Sequence, residues 1–340
     1  MALPRLAAVL AVPTLALGLL LGSATPGVAA DPEDDPRFTL AVIPDTQDEV
    51  VRADDGRFAQ RTRWLADRAA ADDLRFVLHT GDVANWGWAA PEQLSRAKAA
   101  MQVLGAAGVP WQLALGNHDS RRHGWDGQGG YGRLPYVQNP ECTQRFAAAC
   151  TDAALLRRTD ETDEAFARGF AGRFEADSIA NAYRRFDAGG LRWMVLSLEP
   201  WPRAEVVAWA NRVVAQHPRR NVVIATHSYL ADDGSIATSA EYGDTSPQQL
   251  WQQLVSQHAN IKLVFSGHTG AAAYRTDTGV HGNRVASFLG AFHSPDANPV
   301  RLVTVDPEAG AVFSRFRVPS TGGHLSQYDA YVNGLDFVRP

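Results

Sequence analysis

Cysteine is nearly absent from this 340-residue chain, which carries only Cys142 and Cys150. Two thiols are too few for a cysteine-rich metal module. In an exported chain, a pair this close in sequence reads instead as a short-loop disulfide that stabilises the fold only modestly. A basic excess is lacking too: the formal net charge is −5, which leaves no footprint for a nucleic-acid partner. Beyond residue 21 no long apolar run occurs, so no membrane span is expected in the mature chain. No internal repeat is visible.

What is present has the balance of a globular protein, 45% hydrophobic and 20% charged. The N terminus departs from that average. Arg5 precedes an uncharged apolar run over residues 6–21, and Val28-Ala29-Ala30 precedes the acidic stretch Asp31-Pro32-Glu33-Asp34-Asp35. This order predicts a secretory signal peptide, residues 1–30, cleaved after Ala30. Pro13 inside the run and the small-residue exit favour cleavage over a membrane anchor, so a secreted, extracellular protein is expected. A main domain is then expected over 36–318, with a loop-rich insertion at about 120–180 where periodicity fades and glycine clusters. The polar segment 319–340 reads as a loosely packed C-terminal tail.

The main domain alternates short apolar runs with amphipathic stretches, the pattern of an α/β protein. Strands are predicted at 38–44, 76–79, 110–115, 193–198, 222–226, 262–266, 284–289, 302–305 and 312–318. Helices are predicted over 57–71, from Pro91 to Gly105 or Gly108, over 203–216, and from the Ser246-Pro247 start to about His258.

Five of the apolar runs stop at residues able to bind a metal or move a proton. They lead into Asp45-Thr46-Gln47, Gly81-Asp82, Gly116-Asn117-His118-Asp119, His227 and Gly267-His268. In open α/β sheets such groups collect at the carboxyl ends of strands. If these strands lie side by side, Asp45, Asp82, Asn117, His118, His227 and His268 meet on one rim. Carboxylate, amide and imidazole together suit a divalent transition metal better than calcium.

These motifs, in this order and each after a strand, resemble the calcineurin-like metallophosphoesterases over roughly residues 38–318. The resemblance implies two stacked mixed β-sheets flanked by helices, a four-layer sandwich holding two metal ions. It implies hydrolysis of a phosphate-ester substrate, mono- or diester, by a metal-held hydroxide. Asp82 would bridge the ions, and Asn117, His227 and His268 would complete one of them. His118 would serve as acid or charge stabiliser at the leaving-group oxygen, with Asp119 orienting it.

The chain departs from the family pattern twice. Where the family has Asp-x-His it has Asp45-Thr46-Gln47, and where the family has Gly-His-x-His it has Gly267-His268-Thr269-Gly270. By the family's ligand assignments, both missing histidines belong to the same ion. One site is therefore expected to be complete, suiting Mn, Fe or Zn. The other is depleted, with Asp45, Asp82 and the weaker neutral donor Gln47, suiting Mn or Mg. Two further options are that it fills only when substrate adds a phosphate oxygen and that it recruits a replacement, His281 or His293. The depletion also supports a rival reading: a secreted metal-binding or surface-binding protein that keeps the fold with weakened catalysis. A third reading is another metal-dependent hydrolase on the same scaffold.

Other residues carry weaker signals. His79 reads as packed and hydrogen-bonded, and His217 and His258 as helix-end residues. Arg203 suits either a phosphate or a salt bridge to Glu199 or Glu205. Trp86, Trp88, Trp125, Tyr131 and Tyr136 suit either loop packing or a substrate wall.

Overall fold

The segment Phe38–Ile43 is buried at every position, which for a strand means that both of its faces are covered. In the computed structural model it is the first strand of a two-sheet core. The structure describes residues 35–340 apart from 87–89, 120–122, 125–136, 139–168, 177, 242 and 295–297. The signal-peptide segment, the two cysteines, Trp88, Trp125, Tyr131 and Tyr136 lie outside the described residues, as does most of the expected insertion.

Chain order begins β1 (Phe38–Ile43), α1 (Arg57–Arg68), β2 (Leu74–His79), α2 (Pro91–Ala106) and β3 (Trp111–Leu113). A short ribbon follows, β4 (His123–Gly124) with β5 (Val137–Gln138). Next come β6 (Phe170–Arg173), β7 (Ala182–Ala188), β8 (Leu191–Ser197), α3 (Ala204–Gln216), β9 (Asn221–Ala225) and α4 (Pro247–Gln253). The chain continues with β10 (Ile261–Ser266), β11 (Ala272–Thr278), β12 (Arg284–Gly290) and β13 (Val300–Asp306). It closes with β14 (Ala311–Val318), β15 (Gly323–His324) and β16 (Ala330–Val332).

Two mixed sheets result. One has the order β15-β14-β13-β1-β2-β3, with β16 also on β14; the other runs β11-β12-β10-β9-β8-β7-β6. Within the first, β1, β2 and β3 are parallel. Within the second, β8, β9, β10 and β12 are parallel. The strand period of two then sorts side chains between layers. Phe38, Leu40 and Val42 face the second sheet, where they join Trp193, Val223, Leu263 and Phe288 in one cluster. Ala41 and Ile43, one residue out of phase, pack instead with Phe58 and Leu65 of α1 and Leu94 and Met101 of α2. On the far side, Met194, Ile224 and Val264 meet Val206, Val213 and Leu250 of α3 and α4. Helix, sheet, sheet, helix: the expected four layers.

Trp193 shows what the inter-sheet layer contributes. It is fully buried, with its ring 5.4 Å from Phe38 and 5.3 Å from Phe337. Trp193→Ala is expected to cost about 3–5 kcal/mol of stability. Urea unfolding checks this, and a loss below about 1.5 kcal/mol would mean that the layer collapses around the gap.

The segment beyond residue 318 differs from its expectation. β15 and β16 both pair with β14, and Ala330, Val332 and Leu335 are buried in the inter-sheet cluster. Asn221 ties the end down, its amide donating to the Val338 carbonyl and accepting from the Val338 N–H. Few apolar residues mark this segment in sequence, but Ala330, Val332 and Leu335 among them point inward.

Candidate metal centre

The parallel strands of both sheets deliver their carboxyl ends to one rim. Asp45 follows β1, Asp82 follows β2, Asn117 and His118 follow β3, His227 follows β9 and His268 follows β10. Backbone bonds stitch these loops together: Thr46 N donates to Asp82 O at 3.0 Å, and Gly267 N to His227 O at 2.8 Å. Beneath them His79, fully buried, pairs with Thr46 Oγ1 at 2.9 Å and accepts from Gly81 N at 3.1 Å. Burial, then the nearby Arg61, pulls its imidazole down to about 3. It is a packing residue, as expected.

The approach of these loops dictates two glycines. A Cβ on Gly116 would stand 2.0 Å from Asp82 Oδ1, and one on Gly267 would stand 2.0 Å from Asp45 Oδ1. Two of the site residues carry strain as well: Asp82 has φ +51° and His268 φ +79°. Non-glycine residues occupy that region rarely, and such outliers collect at functional sites.

Around Asp82 the donor atoms converge. His227 Nε2 lies 3.2 Å from Asp82 Oδ2 and 3.0 Å from Asn117 Oδ1. His268 Nδ1 lies 3.0 Å from the same Asn117 oxygen. The other nitrogen of His227 donates to the Thr80 carbonyl at 2.9 Å, which leaves the lone pair on Nε2. Electron pairs therefore face one another at the centre, and the arrangement demands positive charge there. The His227 imidazole registers this demand: burial opposes its charge, yet Asp82 and Asp45 outweigh burial and raise it to about 9. Burial likewise opposes charge on Asp82, but His227 and His118 hold that carboxyl far below the usual range. A divalent ion meets the same demand. Donors about 2.1 Å from a common ion, at right angles around it, stand about 3 Å apart, matching these spacings. His268 Nε2 points away from this centre toward Glu241 at 3.4 Å, the carboxylate–histidine arrangement that orients a metal ligand.

Asp45 belongs to a second group of donors that shares Asp82. Its Oδ2 accepts from His268 N at 3.0 Å and pairs with His293 Nε2 at 2.8 Å. Its Oδ1 is buried without a partner, which is costly for a carboxylate unless a cation meets it. Asp45, Asp82 and His293 each present a donor atom within 4.8 Å of the other two. Gln47 is buried at the start of the 3-10 turn Gln47–Glu49. Next to it Asp48 is half-buried; desolvation raises its carboxyl, opposed by the charges of His293 and His118. His281 is elsewhere, bonded to the Gln257 carbonyl on the exposed surface.

His118 reaches the rim, but its support is not the one expected. Asp119 accepts from the N–H groups of Gly116, Val83 and Ala84, so its carboxylate staples two loops. Burial, then the Asp82 charge, pushes that carboxyl up to about 7 against these donors. The ring of His118 is instead held at Nδ1 by Asn85 Oδ1 at 2.6 Å, and its charge is disfavoured by burial. Buried Trp86 stands 6.4 Å from that ring, supporting it from the side. Arg203 is taken up by Glu199 at 2.9 Å and Glu175 at 3.0 Å, so the salt-bridge reading of this residue holds. Asn85, Glu241 and Asp48 were not singled out by sequence. Asn85 had one weak signal, its place three residues after Asp82.

Comparisons with known proteins point the same way. The family described as calcineurin-like phosphoesterase matches residues 38–271. An uncharacterised Bacillus subtilis protein, YvnB, is 25% identical over 290 residues, covering 82% of this chain. The chain spans only 19% of the length of that relative. Among solved structures, the purple acid phosphatase PPD1 from yellow lupin (Lupinus luteus) aligns with a TM-score of 0.53 at 13% identity. That alignment covers 89% of this chain and 55% of the lupin chain. A dimetal phosphatase from Danio rerio aligns with a TM-score of 0.53 at 14% identity, over 87% of this chain and 99% of its own. At such identities the two structures speak for the fold, and the family match over most of the sequence speaks for descent: this chain belongs to the calcineurin-like phosphoesterase family.

Proposed function

We propose that the chain is an exported hydrolase of phosphate mono- or diesters, working at a pair of divalent metal ions. The observation that carries this reading is the set of donors around Asp82, drawn together with their electron pairs facing inward. Asp82, Asn117, His227 and His268 would hold one ion, of the Mn, Fe or Zn type. Asp82 and Asp45, with Gln47 beside them, would hold the second, which favours Mn or Mg. Such ions supply Lewis acidity toward phosphoryl oxygens and toward water.

The chain's own residues do the rest. The cross-stitched loops keep the donors in place before substrate arrives, so no reorganisation is needed on binding. Asn85 fixes the ring plane of His118, which then holds or moves a proton at the leaving-group oxygen. Trp201, buried with its ring 5.3 Å from His268, keeps water from that side of the ligand.

The departures at Gln47 and Gly270 favour one second reading, a metal-binding surface protein with weak turnover. Elemental analysis of the purified secreted protein, beside mono- and diester assays with added manganese, separates the two. Bound metal, turnover of one ester class that chelation abolishes and manganese restores, and an N terminus at Asp31 are expected. Metal without turnover of either class would give the position to the binding protein.

A further inference from the structure

Position 270, where the family pattern has its second histidine, is strained for one here. Gly270 has φ +63°, and a Cβ there would stand 2.7 Å from Asp232 Oδ1. That carboxylate is itself fixed by Thr269 Oγ1 at 2.5 Å. The space is shaped around glycine, and what lies alongside it is another loop. Ala291 N donates to Ala271 O at 3.1 Å and Phe292 N to Gly270 O at 3.3 Å. The segment following β12 is thus laid against the place where the histidine is missing.

We propose that His293, carried by this segment, supplies the imidazole that positions 47 and 270 lack. The second site would then consist of Asp45, Asp82 and His293. This inference rests on the proposed metal centre and deepens it. β12 is parallel to β10, with Ser266 in register with Leu289, so its carboxyl end opens on the rim that carries His268. The chain there is bent by Phe292, at φ +59°, a region that bulky residues avoid. The bend is held in place by packing: the Phe292 ring lies 4.7 Å from Phe316 and 5.5 Å from Tyr328. Arg57 of α1 donates to the Ser294 carbonyl at 2.9 Å and clamps the loop from outside. His293 Nε2 is thereby brought 2.8 Å from Asp45 Oδ2, beside the partnerless Asp45 Oδ1. Two carboxylates and one imidazole form a donor set for a divalent first-row ion. The site is therefore relocated to a new strand end, not lost.

Manganese titration of metal-stripped protein by calorimetry, with paramagnetic resonance of the loaded form, tests this. His293→Ala is expected to bind one ion per chain fewer than the parent, with the second affinity weakened at least about a hundredfold. The spin-coupled signal of a manganese pair should give way to that of an isolated ion. His293→Asp, which restores an oxygen donor, should recover the second ion, and His281→Ala should match the parent. His293 is 38% exposed, so its truncation leaves the core intact; the melting temperature of the stripped protein checks this. A His293→Ala protein that binds as many ions as the parent overturns the inference and leaves the proposed function standing; a parent that binds a single ion overturns the inference and the paired-ion part of that function. A parent that binds no ion overturns both.

Discussion

Asp82→Asn is expected to lower kcat/KM by at least about three orders of magnitude, roughly 4 kcal/mol of transition-state stabilisation. The exchange keeps the size of the side chain but replaces a carboxylate oxygen with an amide. Asp82 is the residue through which both halves of the site are joined. Its Oδ2 faces His227, its Oδ1 accepts from His118 N at 2.9 Å, and it lies in the same donor cluster as Asp45 and His293. An amide nitrogen in either place turns a donor of electron pairs into a donor of protons, pointed at a cation. Metal content should fall with turnover, while the far-ultraviolet dichroism of the fold stays unchanged. Turnover and metal content both at the parental level would remove Asp82 from the centre.

His118→Ala should behave differently. Turnover is expected to fall by about two to three orders of magnitude, the usual range for a lost proton-transfer group, with metal content held. The donors around Asp82 do not include the His118 side chain; its backbone N–H alone touches the Asp82 carboxylate. Asn85→Ala should reproduce the effect at smaller size, about tenfold, because it frees the ring without removing it. Kinetics with paired metal analysis on the two variants checks both statements. Loss of metal from His118→Ala would make it a ligand, and an inert Asn85→Ala would mean the ring is held by other contacts.

Much of the fold could be read from residue order because both sheets are covered on both faces. β1, β8, β9 and β10 had to be mostly apolar, and β8, for example, is exposed only at Arg192. The strands missed by sequence are the ones without that constraint. β11 is an edge strand whose residues are half-buried or exposed throughout. β7 alternates buried residues with Arg185 and Asp187, and so looks like a charged loop. Helix starts read well where a local signal exists. Ser246 caps α4 with Gln249 in a reciprocal pair, as the Ser-Pro start suggested.

The site divides along a similar line. The ligand motifs announced themselves because each is a short tract joining a strand to a turn, with glycine where a neighbouring carboxylate needs room. Asp119 shows how far that goes. Its presence was legible, but its role was not, since whether a carboxylate meets a ring or a backbone amide depends on how two loops are folded over each other. Glu241 comes from a loop before α4 with no pattern of its own, and only the position of His268 gives it meaning.

Residue order alone placed residues of metal-binding type at five strand ends, and the family resemblance marked one ion as lacking both of its histidines. Residue order marked the strands of an α/β protein as well, because burial on two faces is written into the apolar runs, while the two-sheet layering was what the family resemblance implied. The tertiary structure decided which groups meet. It placed β12 beside β10, set a loop against Gly270 and brought His293 to Asp45 from 248 residues away. A metal ligand is selected by distance in space, and that distance is fixed by the pairing order of strands, a property no local segment contains.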